Sequence, residues 1–277
     1  MEKANIEILE ERKVQFAHLS DKFNPEGSKL RRYQLHLVKT LKEFDFFCRE
    51  HGIVYYLAYG SLLGAVRHKG FIPWDDDADI WMDRDNFNKL MGLMHGEHNQ
   101  LSDNVYVAKG IRPELWSPPF AYVDIFVLDV APGNRLLAKA KSAIVKLLYA
   151  MVKCRGRINS HKFGKFKPYF VLAPFALLAS AKRWKSLYDW SATWFSNGKN
   201  IQNASYLQSY NNVPSYVNYH LPSGEDVWQP VETEFDGAML IIPKGYDCVL
   251  RAIYGDYMQV PDEDKIHVHG IVENVDI

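Results

Sequence analysis

Apolar residues first recur at helical spacing between Ser28 and Glu50, where Leu30, Tyr33, Leu37, Val38, Leu41, Phe44 and Cys48 share one face. Ser28 stands ahead of that face as a cap, and His51-Gly52 closes it. The preceding residues are polar. Their first part predicts a short helix, and Pro25 and Gly27 mark a break. Residues 53–58 are β-branched and aromatic and predict a buried strand. Gly60-Ser61 opens a short helix over 62–67, a loop follows through Gly70, Pro73 and Trp74, and 77–82 predicts a strand with alternating faces. Asp85 reads as the cap of a helix carrying Phe87, Leu90, Met91 and Met94 on its apolar side. Further strands are expected at 105–108 and 122–130, the latter holding Asp124 within the strand and Asp129 as an end cap. Beyond Pro132-Gly133, 138–152 predicts a helix, 168–181 an almost uncharged apolar segment, 240–242 a strand, and 246–253 a helix stopped by Gly255.

This order predicts an α+β fold, and three segments follow from it: a core over 1–130, a helical basic and apolar insertion over 131–205, and a C-terminal segment over 206–277 that packs back on the core. With 277 residues, 47% of them hydrophobic, the chain can fill a large core. A formal net charge of zero gives no general pull toward nucleic acid. Three scattered cysteines form no Cys-x-x-Cys pair, which points to a reducing compartment and no structural zinc. The polar, acidic start carries no signal-type apolar run, so a cytoplasmic location, or one peripheral at the inner face of a membrane, is expected. The zero net charge hides an asymmetry: residues 131–200 hold 14 Lys and Arg against one acid, Asp189. A solvated basic face and a membrane-binding or acceptor-binding element both stand as readings. The apolar run at 168–181 is shorter than the roughly 20 residues a spanning helix needs, which leaves a buried helix or an interfacial anchor flanked by Lys165, Lys167, Lys182 and Arg183.

The densest chemistry lies at Asp75, Asp76, Asp77 and Asp79. Like charges this close call for a cation, and Trp74, Ile80 and Trp81 crowd them too tightly for a solvated acidic turn. On a strand Asp75, Asp77 and Asp79 share a face and Asp76 points away. Such a pair suits magnesium, or manganese, beside phosphate oxygens. A calcium EF-hand counted from Asp75 needs Gly and Glu where Ile80 and Asn86 stand, and no Gly-Lys-Ser/Thr P-loop is present. A nucleotide-sugar glycosyltransferase with an Asp-x-Asp metal site survives as a rival, as does a catalytically inactive glycan-binding protein. Gly60 and Ser61, at a helix start, suit phosphate, and Arg67, His68 and Lys69 follow within contact range of a phosphate or leaving group. Asp124, set in an apolar strand, needs a partner, and a metal held by Asp77 and Asp79 supplies one.

Gly-Ser, Asp-x-Asp on a strand and a third Asp on a later strand is the order of the nucleotidyltransferase-like fold, a mixed sheet core flanked by helices. The segment Tyr-Gly-Ser-Leu-Leu-Gly-Ala-Val-Arg-His-Lys-Gly-Phe-Ile-Pro-Trp-Asp-Asp-Asp-Ala-Asp-Ile (59–80) more narrowly resembles the signature of the LicD family, which includes the fukutin-related transferases. Val-Asp-Ile-Phe-Val-Leu-Asp (123–129) and Tyr-Gly-Asp-Tyr-Met (254–258) with Pro261 resemble its later blocks. Residues 131–234 match nothing in that pattern. The resemblance implies a CDP-linked donor, CDP-choline or another CDP-alcohol, whose phosphoryl-alcohol group passes to a hydroxyl of a cell-surface glycan or its lipid-linked precursor. It implies Asp77 and Asp79 as magnesium ligands and Asp124 as third ligand or base. It also implies Gly60 and Ser61 at the donor phosphates, with Arg67, His68 and Lys69 nearby, and leaves the role of Asp75 open.

Overall fold

The computed structural model describes residues 2–94, 106–108, 122–159, 168–194, 201–204, 206–209 and 221–266. The expectations for Val105, Lys165 and Lys167 lie outside the described residues. The chain divides into two compact units, Met1–Phe126 with Gln229–Ile277, and Val127–Trp228.

The first unit begins with two 22-residue helices, α1 (Glu2–Phe23) and α2 (Lys29–Glu50). α1 is longer than the sequence pattern predicts. Ser28 caps α2, its Oγ accepting the Arg31 N–H at 2.9 Å while its hydroxyl donates to Asn24 Oδ1 at 2.6 Å. The predicted apolar face is the buried one, and Gln34 and Thr40 are buried with it. Strand β1 is only Tyr56–Leu57. Its expected first residues have their donors engaged elsewhere: the Ile53 N–H reaches the Cys48 carbonyl, and the Val54 N–H reaches Asn86 Oδ1. Then come α3 (Tyr59–His68), β2 (Asp79–Asp83), α4 (Arg84–Leu93), β3 (Tyr106–Ala108) and β4 (Tyr122–Ala131). β1 pairs antiparallel with β2, β3 runs parallel to the start of β4, and β4 lies next to β2, giving a mixed sheet. Asp83, not Asp85, caps α4, because its Oδ1 accepts the Asn86 N–H at 2.7 Å and its Oδ2 the Asn86 amide at 2.9 Å.

The second unit takes the rest of β4, then α5 (Arg135–Asn159), α6 (Pro168–Ala176), α7 (Ala181–Thr193), β5 (Tyr206–Ser209) and β6 (Leu221–Pro222). β4, β5 and β6 pair antiparallel in that order. α6 and α7 both pack on α5 around Met151, Cys154 and Ala176. α7 is absent from the sequence reading. Ser180 caps it, accepting the Arg183 N–H, and the Trp184 indole donates back to the Ala176 carbonyl at 2.9 Å.

The chain returns to the first unit as the hairpin β7 (Pro230–Phe235) and β8 (Ala238–Pro243), closed by helix α8 (Tyr246–Tyr254). β8 packs on α2 and β1. Asp236 and Gly237 in the hairpin turn have φ of 47° and 72°, the two left-handed positions of a two-residue turn that twists with its strands. Observed as a whole, the elements make a mixed α+β protein with small sheets and flanking helices. Among the described residues no helix is long and apolar enough to cross a membrane.

Candidate functional site

The site grows from the turn between β1 and α3. Tyr59 enters the helix at φ 40°, a region that non-glycine residues seldom occupy. Its buried ring is held edge-on by Trp81 of β2 and Phe126 of β4, at 4.8 and 5.0 Å between centroids. The Ala58 N–H donates to the Asp79 carbonyl at 2.9 Å, and Ser61 Oγ accepts the Asp79 N–H at 3.0 Å. Asp79 is thereby fastened by its backbone to both ends of the turn. The Asp124 N–H donates to the Ala78 carbonyl at 2.8 Å. That single bond sets the third acid, from far later in the chain, beside the residue between Asp77 and Asp79.

Only Asp79 of the first acidic group lies on a strand. Asp75 and Asp77 belong to the loop before β2, so the alternating-face argument does not apply to them. The cause is Gln34. This buried amide donates to the carbonyls of Ile72 at 3.1 Å, Pro73 at 3.4 Å and Asp75 at 2.8 Å. Its Oε1 accepts from Asn24 at 2.8 Å and Arg31 at 3.2 Å. Arg31 also pairs with Asp236 at 2.7 Å. Asp236 accepts the Phe71 N–H at 3.0 Å and donates its own N–H to the Lys69 carbonyl at 2.7 Å. The acidic loop is thus tied down over 69–75 by side chains the motif does not contain. Gln34, Arg31 and Asp236 went unread in the sequence. The available signal was a glutamine in the middle of an apolar helical face.

Asp75 lies over the start of α3. A Cβ added at Gly60 would come within 2.5 Å of its Oδ2. The glycine at this helix start therefore makes room for a carboxylate of the protein itself, where the helix dipole favours negative charge. Ser61 is buried and already engaged by the Asp79 backbone.

Arg67, His68 and Lys69 lie at the other end of α3, about 10 Å from Gly60 at the usual rise per residue. Arg67 donates to His68 Nε2 at 2.9 Å and to the Tyr257 carbonyl at 3.0 Å, and it lies over the Phe16 ring. Burial pushes the guanidinium down to about 10. Burial and then the Arg67 charge push His68 down to about 3, so its imidazole is a neutral acceptor and not a third base. Lys69 takes the left-handed C-cap position with φ 58°. The structure brings Gly60, Ser61, Asp77, Asp79 and Asp124 together and leaves Arg67, His68 and Lys69 apart from them.

The carboxyl group of Asp79 is raised well above its usual range by burial first, then by Asp77, Asp124 and Asp75. Asp124 is pushed up to about 7 by burial and then by Asp77. Asp124 Oδ1 is buried without a hydrogen-bond partner among the described residues, and the same holds for the Tyr33 hydroxyl. Tyr33 is itself held in its protonated form by burial and by Asp76, Asp77 and Asp124. A hard divalent cation suits this set, because its ligands are carboxylate oxygens and one buried oxygen is unsatisfied. As the side chains stand, however, no three His, Cys, Asp or Glu among the described residues are grouped to hold a metal ion. Holding one requires the carboxylates of Asp77, Asp79 and Asp124 to turn toward a common point.

Residues 52–128, which contain Gly60, Ser61, Asp75, Asp77, Asp79 and Asp124, match the family model for the LicD/FKTN/FKRP nucleotidyltransferase domain. The lipopolysaccharide cholinephosphotransferase LicD of Haemophilus influenzae is 27% identical over 270 residues, covering 88% of this chain and 97% of that protein. Two uncharacterized rickettsial proteins match more locally. The one from Rickettsia prowazekii is 40% identical over 91 residues and the one from Rickettsia typhi 30% over 119, and the chain covers 29% and 33% of their lengths. Over these residues the chain resembles the LicD family.

Proposed function

We propose that this protein is a magnesium-dependent phosphotransferase, built on a nucleotidyltransferase-like core. It moves a phosphoryl-alcohol group, phosphocholine in the first instance, from a CDP-linked donor to a hydroxyl of a cell-surface glycan or its lipid-linked precursor. The observation that carries the reading is the Asp124 N–H bond to the Ala78 carbonyl, which sets a buried carboxylate with an unsatisfied oxygen beside Asp77 and Asp79. The Haemophilus relative, a cholinephosphotransferase acting on lipopolysaccharide, supports the donor group and the acceptor class.

In this reading the acceptor oxygen attacks the alcohol-bearing phosphorus, the bond to the bridging oxygen breaks, and CMP leaves. Asp77, Asp79 and Asp124 would hold magnesium, or manganese, which when bound neutralises the donor diphosphate. Asp124 would serve as third ligand or as the base that takes the proton of the attacking hydroxyl. Asp75, in front of the α3 start, orders the turn at which the donor phosphates would enter. Trp74, half-buried against Phe23 at 5.9 Å and next in sequence to Asp75, offers an aromatic face suited to a quaternary ammonium.

The test is release of CMP from CDP-choline by the purified protein with magnesium, against a panel of UDP-sugars. CMP release from the CDP donor that disappears in Asp79→Asn supports the proposal. Turnover of a UDP-sugar alone transfers the site to a glycosyltransferase. Glycan binding without turnover of any donor marks an inactive binding protein.

A further inference from the structure

Helix α5 is apolar on two faces: Ala138, Val145, Met151 and Cys154 are buried, and a second apolar stripe faces outward. Lys141 is 2% exposed and Ser142 is buried beside it, while Leu136 is 76% exposed. Leu137, Ile144 and Leu147 continue the exposed stripe along the same helix. Helix α6 turns Leu172, Ala173 and Ala176 to the Met151–Cys154 core and leaves Val171 and Phe175 outside, with Leu178 following at the next turn, 78% exposed. Helix α7 adds Leu187, Trp190 and Trp194, again at helical spacing, and the two indoles stack at 5.5 Å between centroids. Outward apolar stripes on three consecutive helices exceed what a water-facing surface carries by chance.

Charge identifies the occupant. The segment 131–200 holds 14 Lys and Arg and one acid, Asp189, and that acid is already paired with Lys185. A second copy of the chain would bring the same basic surface against it. An anionic bilayer brings complementary charge and an apolar interior together. Exposed tryptophans suit the headgroup boundary. Among the described residues no helix is long and apolar enough to cross a bilayer, so such a surface suits the interface and not a span.

We propose that α5, α6 and α7 form a peripheral docking surface for anionic lipid bilayers, with Trp190, Leu178 and Leu136 entering the interface and the lysines and arginines meeting the headgroups. This does not rest on the phosphotransfer reading and survives its failure.

The test is flotation of the full-length protein with vesicles of phosphatidylglycerol and phosphatidylcholine, against pure phosphatidylcholine. Binding to the anionic vesicles should be at least about 10-fold tighter than to the neutral ones, fall in high salt, and shield tryptophan fluorescence from an aqueous quencher. Trp190→Ser combined with Leu178→Ser should weaken it by about 10-fold while the circular dichroism spectrum stays unchanged. Two results overturn the proposal. One is absence of anionic-vesicle binding by the wild type. The other is a wild-type dimer that the double substitution dissociates while vesicle binding is untouched, which makes the surface a self-association interface.

Discussion

In the first unit the apolar face of α2 is inside, and the buried amide of Gln34 holds the backbone of one loop. In the second unit, helix α5 buries a lysine and exposes leucines. The same pattern of apolar positions therefore means different things in the two places. Around α2 it records a core, and Leu37, Leu41 and Phe44 are all at or near zero exposure. Along α5 to α7 it records a core on one side and a surface awaiting a partner on the other. Periodicity reports that a face is apolar and is silent on whether protein or something else covers it.

The largest effect expected is on chemistry in the first unit. Asp79→Asn keeps the shape of a buried side chain but removes its charge, so CMP release should fall by about 1000-fold or more. Its melting temperature should hold or rise, since the substitution relieves repulsion from Asp77, Asp124 and Asp75. A large fall in melting temperature would instead show that Asp79 is there for the fold. Next is Gln34→Leu, which strands the Ile72, Pro73 and Asp75 carbonyls and leaves Arg31 and Asn24 one acceptor short. Denaturant unfolding should show a loss of about 2–4 kcal/mol, with donor turnover lost more than donor binding.

A third experiment sets the two units side by side. Leu41→Ala empties a core position and should cost about 3 kcal/mol, while Leu178→Ser should stay within about 0.5 kcal/mol of wild type. Equal costs would erase the distinction between the units. The smallest effect expected concerns pH. His68 has its pKa lowered by burial and Arg67, so the unfolded chain takes up a proton that the folded one refuses. Its contribution is full above about 6.5 and is lost as pH falls toward 3. His68→Gln should therefore lose about 1–2 kcal/mol less than wild type across that window in acid unfolding curves.

Much of the first unit was legible. The α2 face, the Ser28 cap and helix α8 follow from local spacing and capping, which are properties of neighbouring residues. The grouping of Asp124 with Asp77 and Asp79 was legible only through the order of motifs, because nothing local in 122–130 names its neighbour. What escaped notice depends on contacts between distant segments. β1 is short because Asn86 takes a donor from Val54, and Asp75 and Asp77 leave the strand because Gln34 holds their loop. Arg67 and His68 follow the motif in sequence, but the length of α3 carries them away from it. β7 went unread because its alternation, Val231, Thr233 and Phe235 against Glu232 and Glu234, is short and half polar.

The hairpin turn at Asp236 has a consequence for the order in which the protein is made. Asp236 grips the Phe71 backbone across 165 positions of sequence. Chains emerge from the ribosome N-terminus first, and units fold as they emerge. Every acid of the site, and the whole second unit after it, is therefore synthesised before the second of the two side chains that hold the acidic loop exists. Through all of that time the nascent loop has the Gln34 hold and lacks the Asp236 one, and the site is completed only when the last hairpin closes.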